Sequence, residues 1–214
     1  MVSNGKKLTV GILFGGKSAE HEVSLQSAKN VFDAIDRNKF EPVLVGIDKS
    51  GRWLLNDASR FLLNSGDPRN ISLNSGGLPV ALAPESAGLL SALNTAPSAH
   101  AAQGIPRLDV VFPILHGPFG EDGTVQGLLK LADIPFAGSG VLGSAAGMDK
   151  DVMKRLLRDA GLPIGAFLSF KSHEPPPGFA EIEAALGKPF FIKPANMGSS
   201  VGISKVHDAS EFAA

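Results

Sequence analysis

The sequence predicts an α/β fold: an open, mainly parallel sheet followed by a smaller α+β unit. Residues 8–14 (LTVGILF) form a short apolar run that stops at Gly15-Gly16, the pattern of a buried strand feeding a turn. Leu25, Ala28, Val31, Phe32 and Ile35 then recur at helical spacing, and residues 42–48 (PVLVGID) form a second apolar run. Strand, glycine turn, helix and strand in this order open a sheet of parallel strands. Ser24, just ahead of the periodic stretch, predicts the helix N-cap.

Residues 52–63 predict a strand and a short helix. Residues 74–103 are rich in Ala, Ser, Gly, Leu and Pro, and Glu85 is their only charged residue. The whole stretch 52–107 reads as a variable excursion outside the chemistry, with room for a short hairpin. Regular structure resumes at residues 108–115 (LDVVFPIL), a central strand that ends at His116-Gly117. Val125, Leu128, Leu129 and Ala132 mark the next helix, and residues 135–138 (PFAG) a very short strand. A second unit begins near Ser144, dividing the chain into residues 1–143 and 144–214. Its expected elements are a helix over 149–160 closed by Gly161 and Pro163, a strand over 166–171 and a helix over 179–186. Strands over 189–193 and 201–206 follow, then the start of a helix at 208–214.

Composition narrows the function. Of 214 residues, 43% are apolar and 19% charged, and 20 Lys and Arg against 21 Asp and Glu give a net charge of −1. Nothing in that balance points to a nucleic-acid partner. The absence of cysteine excludes a disulfide scaffold, a Cys-ligated zinc site and a thiol nucleophile. The five histidines show no H-x-x-x-H spacing, so no metal site is expected in this stretch. Residues 1–7 are polar and no apolar run approaches the ~20 residues of a membrane span. The expectation is a cytoplasmic protein with neither a membrane nor a nucleic-acid partner.

Three segments carry candidate chemistry. Residues 11–18 (GILFGGKS) satisfy the G-x-x-x-x-G-K-S pattern, but Ile12, Leu13 and Phe14 read as strand, leaving too short a turn to cradle two phosphates. The overlapping segment 15–24 (GGKSAEHEVS) places Glu20, His21 and Glu22 at a helix start. Acidic residues there ordinarily stabilise the helix; a carboxylate at a strand's carboxyl edge also suits a substrate ammonium. Residues 116–123 (HGPFGEDG) combine an imidazole, two carboxylates and three glycines directly after an apolar strand, either as a tight turn with a helix cap or as a ligand loop. Residues 193–202 (KPANMGSSVG) lie between two expected strands. Lys193, Gly198, Ser199, Ser200 and Gly202 offer a point charge and several N–H and hydroxyl donors, as polyphosphate binding requires, whereas a hairpin turn explains only some of them. Lys150 alone is an ordinary helix lysine.

As an ordered set, these clusters resemble the D-alanine–D-alanine ligases of the ATP-grasp family; residues 138–140 (GSG) and 148–150 (MDK) fit the same order. The resemblance covers nearly the whole chain except 52–107. It implies an N-terminal α/β substrate domain followed by part of the first ATP-grasp lobe. It also implies ATP-dependent joining of two D-alanines through an acyl phosphate, for peptidoglycan precursors. By the same resemblance, Glu20 and Ser199 are catalytic and hold the first D-alanine, Val23 borders its pocket, and His116 lies near the reacting carboxylate. Lys150, Lys193 and the loop Met197, Gly198, Ser199, Ser200, Val201 and Gly202 bind the ATP phosphates. The family's Mg2+ or Mn2+ ligands, intermediate-binding arginine and adenine pocket have no counterpart here, and the chain has no tyrosine. These 214 residues are therefore expected to be a stretch of a longer protein, inactive in ATP turnover alone, and the complete enzyme is expected to form a homodimer. A non-catalytic amino-acid or nucleotide-binding module, a phosphate-loop NTPase and a D-alanine–D-lactate ligase remain open on the residues alone.

Overall fold

The computed structural model describes residues 6–93 and 104–212. The chain divides into two compact units, Met1–Ala145 and Ala146–Ala214.

The first unit begins with β1 (Leu8–Gly15), α1 (His21–Ala34) and β2 (Phe40–Ile47). β1 and β2 are buried on both faces, which is why their sequences are continuous apolar runs rather than alternating ones. The excursion then contributes β3 (Trp53–Asn56), β4 (Leu62–Leu63), β5 (Ser72–Leu73), β6 (Leu78–Leu82) and β7 (Leu90–Ala92), before β8 (Val110–Leu115) and α2 (Thr124–Leu131). Six strands form one sheet in the order β7-β6-β3-β2-β1-β8. β2, β1 and β8 are parallel, while β3, β6 and β7 join by antiparallel pairing, so that β6 runs in the direction of the central three.

The register fixes where a site can form. Gly15 pairs with Ile47 on one side and Leu115 on the other, so the carboxyl ends of three parallel strands are level. Ligands in open α/β sheets bind beyond such ends. Side-chain alternation sends Leu13, Val43, Val45 and Val111 to one face, where Val125 and Leu129 of α2 cover them. Ile12, Phe14 and Leu44 go to the other face, under Leu25 and Ala28 of α1, with Phe61 and Ile71 completing the cluster.

Several expectations are corrected. α1 starts at His21, with Glu20 at the N-cap position; Ser24 lies one turn inside the helix, its hydroxyl taken by the sheet. The short helix expected in 52–63 is absent; residues after β3 turn instead, with Asp57 Oδ1 accepting the Ser59 N–H at 2.8 Å. The excursion is more than a loose insertion, since β3, β6 and β7 widen the main sheet; its residues 94–103 lie outside the described residues. The strand expected at 135–138 shrinks to one bridge, Val111 with Phe136.

From α3 (Val141–Met148) the chain passes to the second unit, which contains α4 (Lys150–Asp159), α5 (Phe179–Leu186), β9 (Phe190–Ile192), β10 (Ser204–Val206) and α6 (Ala209–Phe212). Asp149 caps α4 by accepting the N–H groups of Asp151 and Val152, each at 3.0 Å. β9 and β10 form an antiparallel hairpin. Ile182, Phe190 and Val206 are its buried core, flanked by Phe179, Leu186 and Phe212. Residues 166–171 pair with no strand among the described residues, and Leu168 and Phe170 are exposed; without a ladder partner the segment is not a strand. The last strand begins at Ser204 rather than at 201, because Ser199, Ser200 and Gly202 adopt positive φ and cannot enter a pleated ladder. α6 falls within the helix expected at 208–214, of which residues 213–214 are not described.

Candidate functional site

At the tip of β1 the chain must turn sharply past β2. Gly15 has φ +87°, and a Cβ there would stand 2.3 Å from the Ile47 carbonyl oxygen, so only glycine fits. The Gly16 N–H donates to that same carbonyl at 2.8 Å. Gly11 lies inside β1, opposite Val43 and Val111, which removes the first glycine a phosphate loop needs at its turn.

Two buried polar residues of α1 lock the turn. His21, 4% exposed, has Nδ1 2.7 Å from the Gly16 carbonyl oxygen. Ser24, fully buried, accepts the Gly15 N–H at 2.8 Å and donates to the Ile114 carbonyl, so one hydroxyl ties the ends of β1 and β8 together. One turn further, the Ser27 hydroxyl is 3.1 Å from His116 Nε2. The residues at 20, 24 and 27 follow helical spacing, so one face of α1 looks along the strand ends.

The facing loop is equally constrained. Glu121 accepts the Gly117 N–H at 2.6 Å. Asp122 accepts the N–H groups of Phe119 at 2.8 Å and Thr124 at 3.0 Å. Partial burial alone would raise the Asp122 carboxyl, but the Phe119 N–H and the Thr124 hydroxyl and N–H outweigh it and hold it below its ordinary range. Gln126 Nε2 donates to the Gly120 carbonyl at 2.8 Å. The two loop carboxylates thus serve the loop's own backbone. Gly117, at φ +70°, lies against Glu20: a Cβ there would be 2.8 Å from Glu20 Oε2. Phe119 takes φ +69°, a conformation costing on the order of 1–3 kcal/mol for a non-glycine residue.

Glu20 and His116 are therefore brought to one loop, Gly117 joining them, while Val23 stands exposed on α1. A cleft of about 200 Å³ opens between the Gly15–Lys17 turn and the 116–120 loop. His116 lines it, but Glu20 and Val23 do not; its walls are Ile47, Trp53, Leu115, Val125 and Leu128.

In the second unit the remaining candidates gather on the β9–β10 loop. Lys193 stands at its base, with Nζ 5.4 Å from the Phe191 ring centroid. Met197 and Gly198 lead into Ser199 and Ser200, at φ +47° and +61°, and Val201 and Gly202 complete the turn, Val201 N–H donating to the Gly198 carbonyl at 3.0 Å. The Lys150 ammonium donates to the carbonyls of Pro194 at 3.2 Å, Ala195 at 3.4 Å and Met197. Asp149, the α4 cap, also accepts from Asn196 Nδ2 at 3.3 Å. The start of α4 therefore holds the loop's first half in place.

Sequence reading missed Ser27 and the turn-locking parts of His21 and Ser24. Their signal was the helical spacing from Glu20, visible only once α1 was known to begin before Ser24. Among the described residues no group of three or more His, Asp or Glu could hold a metal ion. The divalent cation implied by the resemblance finds no such ligand set among the described residues.

Comparison with known proteins decides the family. The D-ala D-ala ligase N-terminus family model matches residues 9–139, and the D-ala D-ala ligase C-terminus model matches residues 156–214. The chain belongs to the D-alanine–D-alanine ligase family. Within it, the chain is 54% identical over 211 residues to D-alanine–D-alanine ligase A of Escherichia coli K12, covering 97% of this chain and 56% of that protein. It is 50% identical over 207 residues to the D-alanine–D-alanine ligase of Oceanobacillus iheyensis, covering 96% and 55%. Among solved structures, the Coxiella burnetii D-alanine–D-alanine ligase superposes with a TM-score of 0.80 at 31% identity, covering 97% of this chain and 56% of the other. The D-Ala:D-Ser ligase VanG of Enterococcus faecalis gives 0.75 at 37% identity, covering 97% and 58%. The chain thus spans about half the length of these family members. No helix among the described residues is long and apolar enough to cross a membrane.

Proposed function

We propose that this chain is the part of an ATP-dependent D-alanine–D-alanine ligase that receives the first D-alanine and grips the ATP phosphates, for peptidoglycan precursor synthesis. The observation that carries the reading is the Glu20 carboxylate set against Gly117, beyond the level ends of three parallel strands.

Glu20 pairs with the ammonium of the first D-alanine, and Val23 borders its methyl group. His116, tethered to Ser27, lies by the carboxylate that is to be activated. ATP supplies the phosphoryl group that turns this carboxylate into an acyl phosphate, releasing ADP; the amine of the second D-alanine attacks its carbonyl, and the peptide bond forms as inorganic phosphate and the amine proton leave. Lys193 and the donors of residues 197–202 neutralise and orient the triphosphate. Lys150 acts from beneath, holding the loop carbonyls so that the loop's N–H groups are free to turn outward. Ser199 is the residue of the second unit that the family resemblance assigns to the first substrate. Ligation itself needs residues beyond these 214, the metal ligands among them.

The test is calorimetric titration of the chain with D-alanine and with ATP. Glu20→Gln is expected to weaken D-alanine binding by at least about tenfold, the scale of one charge-assisted contact, with ATP unchanged. Unchanged D-alanine affinity sinks the assignment. Phosphate release that depends on D-alanine, from material verified as 214 residues, overturns the claim that more chain is required. VanG's likeness favours a second reading, in which the second substrate is a D-amino acid other than alanine. Comparing D-alanine, D-serine and D-lactate as acceptors in the complete enzyme separates the two and tests the hydroxy-acid alternative.

A further inference from the structure

One cleft of the first unit is lined by His116 but by neither of the other two residues of that unit assigned to the first D-alanine. Glu20 and Val23 are absent from its lining, whereas Ile47, Trp53, Leu115, Val125 and Leu128 make its interior apolar. At about 200 Å³ it is smaller than the ~300–1,000 Å³ of pockets for drug-sized ligands, which excludes a nucleotide and suits a single ring or short branched chain.

One charge stands at this cleft. Lys17 is the lysine of the G-x-x-x-x-G-K-S run, and the structure gives it no phosphate loop to serve. Its stem crosses Gly51, where a Cβ would meet Lys17 Cε at 2.7 Å, and its Nζ is 5.9 Å from the centroid of the Phe119 ring. Lys17 is exposed, with its stem beside Gly51 and its ammonium toward Phe119, both of which line the cleft. The acids of the neighbouring segments are already engaged: Asp48 with Arg52 at 2.7 Å, Glu22 with Lys49 at 2.5 Å, and Glu121 and Asp122 with loop N–H groups. Lys17 forms no ion pair with a carboxylate among the described residues. Phe119 is kept in its positive-φ conformation at the same place, with its N–H bound by Asp122.

We infer that this cleft, which shares His116 with the first-D-alanine site but neither Glu20 nor Val23, binds a small carboxylate with an apolar ring or branched body. The carboxylate pairs with Lys17, and the body enters between Trp53, Leu115 and Leu128. The site shares the 116–120 loop with Glu20 but none of its charge, so its ligand needs no ammonium, which distinguishes it from an amino acid.

The test is a titration of the isotopically labelled 214-residue chain with benzoate, followed by amide NMR. Benzoate is expected to bind saturably and to shift the amides of Gly16, Lys17 and Phe119. Benzamide, the neutral isostere, is expected to bind about fivefold more weakly, as for one solvent-exposed ion pair. Lys17→Ala is expected to cost benzoate the same factor without changing the benzamide titration, and Lys17→Arg to restore it. Leu128→Trp, which fills the cleft, is expected to abolish both. Equal binding of benzoate and benzamide, insensitivity to Lys17→Ala, or absence of saturation in the wild-type chain overturns the proposal. Displacement of benzoate by D-alanine also overturns it, by assigning the cleft to the amino-acid substrate. Because the readout involves neither Glu20 nor turnover, its failure leaves the ligase reading untouched, and the converse holds.

Discussion

The two units solve the problem of burying apolar surface to very different degrees. The first closes its sheet on both faces, with separate clusters under α1 and α2. The second buries Ile182, Phe190 and Val206 in one small cluster, and α4 contributes no buried residue at all. Yet both present their candidate chemistry on loops held by side chains that reach back from a helix start: Ser24 and Ser27 in the first unit, Asp149 and Lys150 in the second. A rigid loop does not require a large core beneath it. It requires each backbone group to have an assigned partner.

This contrast is sharpest in unfolding. Trp53, the only tryptophan, reports on the first unit alone. Urea unfolding is expected to show two transitions by circular dichroism, with the Trp53 signal following only the later one; a single coincident transition breaks the comparison. Phe14→Ala is expected to lower the later transition by about 3–5 kcal/mol, the cost of emptying a fully buried aromatic site. Phe190→Ala is expected to remove the earlier transition and leave Trp53 fluorescence unmoved.

Ser24→Ala comes next. It strands a buried N–H and a part-buried carbonyl together, and about 2 kcal/mol of the first unit's stability is expected to go with it, measured by the same denaturation. Lys150→Met leaves the Pro194 and Met197 carbonyls without the Lys150 ammonium, while the Ala195 carbonyl keeps the Lys150 main-chain N–H, and faster hydrogen exchange is expected over residues 194–203, with exchange in the first unit's sheet unaltered. The smallest effect concerns acid. The Asp122 carboxyl is held below its ordinary value of 3.8, so its contribution is fully present above that pH and is lost as pH falls through the lower folded value. The stability difference between wild type and Asp122→Asn is expected to stay constant from neutral pH to about 4 and to shrink below it.

The strands that form the parallel centre were legible because burial on both faces writes an uninterrupted apolar run, as in β1, β2 and β8. α4 was legible from the Gly161 and Pro163 that close it, and α5 fell where a helix was expected over 179–186. The outer strands β3, β6 and β7 were not, since each is short and owes its existence to the edge of β2 rather than to its own pattern. Residues 166–171 were misread for the mirror reason: they have a strand's composition but pair with no strand among the described residues. In the candidate site, Glu20 and His116 stood out through their glycine-rich, acidic surroundings. Ser27 did not, because its partner lies 89 residues away and no local spacing encodes that distance. Lys150 looked like a surface lysine for the same reason, its carbonyl partners being 44 to 47 residues downstream.

The double bond made by Ser24 has a consequence for how such a chain can change over generations. One side chain measures, at the same time, the length of the turn from Gly15 to α1 and the end of β8 at Ile114. Adding or deleting a single residue between 15 and 24 would rotate α1 and pull at least one of those two bonds apart, and a change between 114 and 116 would draw His116 off Ser27. The turns at 57–60 and 64–70 are held only by exposed local bonds, such as Asn64 Nδ2 on the Asn70 carbonyl at 3.1 Å. Libraries of one-residue insertions are therefore expected to yield folded protein at the latter and almost none at the former, so length variation in this unit belongs to its outer strands and not to the rim where its chemistry sits.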